Sequence, residues 1–119
     1  MAKFNARHKN ARISARKVRP LADIVRGMYA DEALDALKYQ PHRGARMLEK
    51  VIQSAVGSAQ DPDQNSGRSH RIEELVVTEV CIDGGPMFKR VRPRARGSAF
   101  MIKKRSSHIR VGLTPIDEV

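Results

Sequence analysis

The sequence predicts an α+β fold in which a strand and three helices precede two further strands, and a long basic β-hairpin extends from the domain. Three patterns support this prediction. Apolar residues recur at helical spacing before residue 60, β-branched residues cluster over 75–82, and basic residues alternate with apolar or small ones over 87–105. A chain of 119 residues suffices for one domain. We therefore expect a single domain over 1–119, with 83–105 as its extended hairpin.

The N-terminal part is expected to form a strand followed by a short helix. Residues 3–12 are polar and basic, and Phe4, Ala6 and His8 recur at period two, which indicates an extended strand. Ser14 is a candidate N-cap of the first helix, and Gly27 marks its expected end. The apolar residues of this helix recur at helical spacing: Val18, Leu21, Val25 and Met28. Its opening turns are basic, which opposes the helix dipole and points to a negative partner outside the protein.

Two further helices are predicted before residue 61. Asp31 can cap the second, and Pro41 can serve as the first residue of the third. Asp61 and Pro62 should end the third helix. Its apolar stripe is the clearest pattern in the chain: Met47, Leu48, Val51, Ile52, Ala55, Val56 and Ala59. This helix should therefore supply much of the core.

The second half predicts strands joined by an unusual hairpin. After a polar loop over 61–71, residues 75–82 and 108–113 each read as a strand. Asp83-Gly84-Gly85-Pro86 suggests a bend or bulge, and the chain should fold back around 92–97. Arms of about 12 residues would reach ~40 Å. Such basic arms have no core of their own, so a partner must order them.

The charge is concentrated at two places. The net charge is +10, yet residues 20–85 carry more acids than bases, whereas 1–19 and 86–110 contain no acid. Such an excess destabilises an isolated compact state unless a polyanion supplies the counter-charge. Nucleic acid is the commonest such partner, and an anionic membrane surface is the alternative.

Sequence features of an enzyme, a metal site or a membrane span are missing. Cys81, the single cysteine, excludes an intramolecular disulfide, which fits a reducing compartment. The four histidines are not at metal-ligand spacing, and nucleotide-binding and hydrolase motifs are absent. No apolar run approaches the ~20 residues of a membrane span. We expect a non-enzymatic protein without cofactor or metal, located in the cytoplasm.

Among nucleic acids, folded RNA is favoured over DNA. Arg outnumbers Lys, and its planar guanidinium can hold phosphate oxygens and stack on bases. A platform for stacking single strands would need closely spaced aromatic residues, which the sequence lacks. The alternative is an architectural DNA-binding protein with a helix-turn-helix built from the first two helices. The acidic second helix, over 31–39, would fit a DNA groove poorly.

Two segments resemble a known family. Residues 11–19 and 22–27 resemble the first-helix signature of the bacterial large-subunit ribosomal protein L-twenty-two family. The run 85–97, Gly-Pro-Met-Phe-Lys-Arg-Val-Arg-Pro-Arg-Ala-Arg-Gly, followed by 104–109, resembles its hairpin signature. The resemblance covers roughly 3–113, although Ser98 stands where the family often has a basic residue.

The resemblance implies three helices packed on a small three-stranded antiparallel sheet, with a long protruding β-hairpin. It implies a monomer in the cytoplasmic large ribosomal subunit, with large-subunit ribosomal RNA, neighbouring ribosomal proteins and the nascent polypeptide of the exit tunnel as partners. The expected rRNA-binding residues are Lys3, Arg7, Lys9, Arg12, Ser14, Arg16, Lys17, Arg19, Lys89, Arg90, Arg92, Arg94, Arg96, Lys103, Lys104, Arg105 and His108. The expected tunnel tip is Phe88, Lys89, Arg90, Val91, Arg92, Pro93, Arg94, Ala95 and Arg96.

Overall fold

The structure, a computed structural model, describes residues 2–62, 67, 69–93 and 95–119. Its elements in chain order are β1 (Phe4–Ala11), α1 (Ala15–Val25), α2 (Ala30–Lys38), α3 (Arg43–Gln60), β2 (Leu75–Pro93) and β3 (Ala99–Pro115). The strands form an antiparallel sheet in the order β1-β3-β2. This architecture confirms the predicted α+β fold with three helices, a three-stranded sheet and a long hairpin.

Helix α1 begins and ends close to the predicted positions. Ser14 is its N-cap in extended conformation, although the Ser14 side chain makes no capping hydrogen bond. The helix ends at Val25, and Gly27 follows with a φ of +89°. That left-handed conformation costs glycine little, which is why the chain can turn there. The Gly27 amide then donates to the carbonyl of Val77 at 2.8 Å and ties the turn to the sheet.

The predicted starts of α2 and α3 were wrong. Tyr29, not Asp31, caps α2, because its extended backbone bridges to Val76 and its carbonyl already accepts the first helical hydrogen bond. Asp31 lies inside the first turn instead, where its charge still favours the helix dipole. Helix α3 begins after His42, whose extended backbone leaves Pro41 outside the helix.

The core lies between α3 and the inner face of the sheet, with α1 and α2 closing its sides. The α3 stripe is buried as predicted except for Met47, which is only partly buried. The sheet contributes alternate residues that are fully buried, among them Ile109, Val111 and Leu113 of β3. Burial of this kind stabilises by roughly 25 cal/mol per Å² of apolar surface. Helix packing is close at Gly44, where an added Cβ would lie 3.3 Å from Ile13 and Leu21.

Strands β2 and β3 run past the edge of this core and continue as the hairpin. The register shifts between Gly84 and Met87, which confirms the predicted bulge. Pairing resumes from Met87 opposite Arg105 to Pro93 opposite Ala99. A tight turn at Ala95–Gly97, in which Arg96 and Gly97 both have positive φ, then closes the hairpin within the predicted fold-back region. The molecule is elongated as a result, with a longest extent of 65 Å against 27 and 19 Å.

Candidate nucleic-acid interface

The outer side of the sheet carries a basic patch from β1 and β3. Arg7, His8 and Lys9 are exposed on β1, and Arg7 lies directly opposite Arg110 of β3. A shallow cleft here is lined by Arg7, Lys9, His108 and Arg110, with Asp83 as its one acid. His108 is partly buried, and its Nδ1 accepts a hydrogen bond from the Asn10 amide at 3.1 Å.

Arg110 is held in this patch by a sulfur contact. Its Nη2 donates to the Sγ of Cys81 at 3.2 Å. This hydrogen bond, with the charge interaction of the same pair, raises the pKa of Arg110 above its ordinary value. The contact with Cys81 positions the Arg110 guanidinium beside Arg7, where it is available to a phosphate oxygen.

A second basic pocket lies where α1 and α3 both begin. It is lined by Arg12, Ser14 and Lys17 from the α1 side and by His42 and Arg43 from the α3 side. The Arg43 guanidinium donates to the carbonyl of Arg12, which joins the two segments. Neither N-cap side chain bonds to its own helix, so amide groups of both helix starts remain without side-chain caps.

A third cleft lies at the neck of the hairpin, with a volume of about 650 Å³. Arg16 and Arg19 of α1 face Arg105 of β3 across Gly84 and Gly85. Arg19 also has a structural role, since its Nε and Nη2 donate to the carbonyl of Ile82 at 3.3 and 3.2 Å. It fixes α1 to the base of the hairpin and leaves Arg16 and Arg105 as the freer cations of this cleft.

The hairpin arms hold the other predicted cations. Lys89, Arg90 and Arg92 are exposed on β2, and Lys103 and Lys104 are exposed on β3. Of the residues expected at the tip, Phe88–Pro93 lie on the β2 arm, whereas Ala95 and Arg96 lie in the turn. Arg94 lies outside the described residues. Arg96 adopts a φ of +62°, a strained conformation for a side-chain-bearing residue.

Few of these cations have an acidic partner. Within the described residues the structure contains three ion pairs: Lys3–Glu118, Arg26–Asp23 and Arg46–Glu49. Only Lys3 belongs to the predicted binding set. The remaining charge on β1, α1 and the hairpin is thus not neutralised by the described part of the chain, and an external polyanion would balance it.

The predicted set omitted three residues that the structure brings to this surface: Arg43, Arg110 and Phe100. Arg43 joins the pocket only because α1 and α3 start side by side, which sequence spacing does not reveal. Arg110 was detectable, because it falls within the second acid-free segment and faces Arg7 once the strands pair. Phe100 becomes notable only through the hairpin register, which places it opposite Arg92.

Two other kinds of site are absent from the described residues. Over 2–62, 67, 69–93 and 95–119, His, Cys, Asp and Glu do not group in a way that could hold a metal ion. In that same part of the chain, no helix is both long and apolar enough to span a membrane.

The fold and its uncompensated basic surfaces are typical of a small nucleic-acid-binding protein. Comparison with known proteins identifies the group. The chain belongs to the family described as Ribosomal protein L22p/L17e, whose sequence profile matches residues 6–114. This result confirms the family that the sequence resembles.

Curated relatives agree along the whole chain. The chain is 82% identical to the large ribosomal subunit protein uL22 of Rhodopirellula baltica, over 100% of both sequences. It is 44% identical to the protein of that name from Caldicellulosiruptor saccharolyticus, over 93% of this chain and 87% of the relative. The chain is 48% identical to uL22 of Desulfotalea psychrophila, over 88% of this chain and 91% of the relative. Family membership confirms the prediction of a non-enzymatic ribosomal protein located in cytoplasmic ribosomes.

Proposed function

We propose that this chain is a structural constituent of the large ribosomal subunit that binds large-subunit rRNA and lines the nascent-peptide exit tunnel with its hairpin. It acts as one domain and as a monomer among neighbouring ribosomal proteins. The observation that carries the proposal is the hairpin itself: a paired ribbon beyond the core, exposed and rich in cations without acids to balance them.

The docking surface consists of the three basic clefts around β1, α1 and the hairpin neck. Two of them adjoin at the start of α1, since Ser14 lines both the pocket between α1 and α3 and the cleft at the hairpin neck. Cations in such clefts gain affinity by displacing counterions from phosphates, whatever the RNA sequence. Surfaces from several elements also fit a folded RNA better than a straight groove. The acidic second helix, with Asp31, Glu32 and Asp35, remains a poor fit to a DNA groove.

The docking proposal is tested by charge removal. Arg12, Arg16 and Lys17 are changed together to Gln, and Arg19 is kept because it anchors Ile82. Binding to large-subunit rRNA should weaken, and the salt dependence should flatten by about 0.7–0.9 of a log unit for each phosphate that the variant no longer neutralises. The matched control changes Lys38, Lys50 and Arg71 to Gln.

The control removes the same charge from α2, α3 and the segment before β2, outside the basic clefts. It should leave the salt slope nearly unchanged. Equal slopes for both triple variants would mean that only net charge matters, and the docking surface would be wrong. Failure of the wild-type protein to co-sediment with large subunits at high salt would contradict the proposed function as a whole.

Tunnel lining is tested by deleting Phe88-Lys89-Arg90. These residues lie on the exposed β2 arm, so the buried pairs between 75–82 and 109–115 stay intact. Removing an odd number of residues reverses the facing of those beyond the deletion. The protein should still enter the large subunit, while the stalling of nascent chains changes, or the response to macrolide antibiotics, which the family resemblance implies bind near the hairpin. Blocked incorporation would make the arm a docking element, and unchanged drug response and stalling would rule out tunnel lining.

A further inference from the structure

The hairpin has two faces of equal charge and different chemistry. One face, which we call the aromatic face, carries three cross-strand pairs: Phe88 with Lys104, Arg90 with Ile102, and Arg92 with Phe100. The aliphatic face carries Met87 with Arg105, Lys89 with Lys103, Val91 with Met101, and Pro93 with Ala99. Each face therefore holds three cations, and the two rings are on one side only.

Both rings are free to receive a partner. Phe88 and Phe100 are each 57% exposed, so a partner can reach both side chains. The only cation–π contact within the described residues is that of Lys3 with Phe4, so neither ring of the hairpin is occupied in this way. The rings stand four residues apart along the ribbon, about 13 Å, with Arg90 and Ile102 between them.

We propose that the aromatic face is a stacking surface for unpaired bases of RNA. This inference rests on the proposed function and adds which groups of the RNA the hairpin recognises. An aromatic side chain offers a flat surface to any base, and a guanidinium can stack in the same way. A row of Phe88, Arg90, Arg92 and Phe100 thus combines base stacking with phosphate neutralisation.

The charges favour RNA over a peptide as the occupant of this face. Residues 86–110 contain no acid, so the partner must bring negative charge close to both rings. RNA supplies phosphates and flat bases together, whereas a passing polypeptide of varying sequence supplies neither at a fixed place. A continuous double helix fits poorly, because its bases are already stacked and their faces are covered. Unpaired bases of an RNA loop or bulge offer both uncovered base faces and nearby phosphates.

The aliphatic face differs in what it can recognise. Val91 and Met101 are 68% and 62% exposed and offer no flat ring. Lys89 lies directly opposite Lys103, a pairing that is unfavourable without an anion nearby. This face can neutralise phosphates, but its one guanidinium, that of Arg105, lies at the neck, and both rings are on the other side. The hairpin should therefore lie in one orientation against RNA, with the aromatic face towards the unpaired bases.

The test compares two double variants that preserve every charge. Phe88 and Phe100 are changed to Leu in one, and Val91 and Met101 of the aliphatic face are changed to Leu in the other. The probes are an RNA stem-loop carrying 2-aminopurine in its unpaired loop, and a fully paired duplex of the same length. The wild type should quench 2-aminopurine and prefer the stem-loop. F88L/F100L should lose the quenching and bind the stem-loop about tenfold more weakly.

The controls separate stacking from charge and from folding. V91L/M101L should behave as the wild type, and all three proteins should bind the duplex equally with the same salt slope, because no charge is altered. All four substituted side chains are exposed, so the fold should be unaffected. Equal quenching by F88L/F100L and the wild type, or equal weakening by V91L/M101L, would overturn the inference.

Failure of this inference and failure of the proposed function have different signatures. If F88L/F100L binds as the wild type does while the wild type still co-sediments with large subunits, only the stacking surface is wrong. A photo-crosslinker at position 88 or 100 in assembled subunits should capture RNA. Capture of the nascent chain from these positions would assign the aromatic face to the peptide and overturn the inference.

Discussion

The inner and outer halves of the β2–β3 pair follow the same hydrogen-bonding pattern and differ in almost everything else. The inner half, Leu75–Ile82 with 109–115, is largely buried under the helices. The outer half, 87–93 with 99–105, is exposed on both faces except at the partly buried Ile102. Strand pairing alone therefore does not make a stable structure. Burial of the strand faces should decide whether each half is stable without a partner.

The source of stability should change at the neck, where the register shifts between Gly84 and Met87. Below the neck, apolar burial against α3 holds the sheet. Above it, a two-stranded ribbon is only marginally stable in water, and six like charges on its arms repel one another. An RNA partner would supply the missing stabilisation. Substitutions on the two sides of this boundary should therefore differ in their cost to the free protein.

The largest effect is expected below the neck. Leu48 of α3 is fully buried, so changing it to Ala should lower the free energy of unfolding by about 2–5 kcal/mol. Met101 of the hairpin is 62% exposed, and Met101→Ala should cost less than ~0.5 kcal/mol. Chemical denaturation of the free protein measures both. Similar losses of stability for the two substitutions would show that the core and the hairpin do not differ in their contribution to the stability of the free protein.

A smaller effect is expected at the neck itself. A Cβ added at Gly85 would lie 2.7 Å from the Oγ of Ser106, which donates to the carbonyl of Pro86 at 2.6 Å. Gly85→Ala should therefore cost about 1–3 kcal/mol by overpacking. Gly57 of α3 is the matched control, because its added Cβ meets nothing within 4 Å. Gly57→Ala should raise stability by up to ~1 kcal/mol through helix propensity. A Gly85→Ala variant with unchanged stability would show that the bulge has room for an added Cβ.

The sequence predicted the elements that follow from periodicity and missed those set by contacts between elements. The α3 stripe and the alternating strands were readable, because burial of one face imposes the spacing. The start of α2 was not, because Tyr29 is held by a bridge to Val76, which overrides the local capping preference at Asp31. Helix α3 begins after His42 and not at Pro41, and no contact in the structure accounts for that difference.

The candidate site shows the same division. Acid-free segments marked the cations of β1, α1 and the hairpin directly in the sequence. Phe88 and Phe100 are far apart in sequence, so their common face on the hairpin could not be inferred from their spacing. Arg43 entered the site through the packing of α3 beside α1. The sequence therefore showed where the charge is concentrated, but it did not show which residues the fold brings together.

Hydrogen exchange of the free protein, compared with the same chain in large subunits, tests the boundary at the neck most directly. In the free protein, amides of α3 and of 75–82 should be protected and those of 87–105 should exchange rapidly, because only the former lie over a core. In the assembled subunit, the amides of 87–105 should become protected. Strong protection of the hairpin in the free protein would contradict this boundary, since the hairpin would then be stable without RNA.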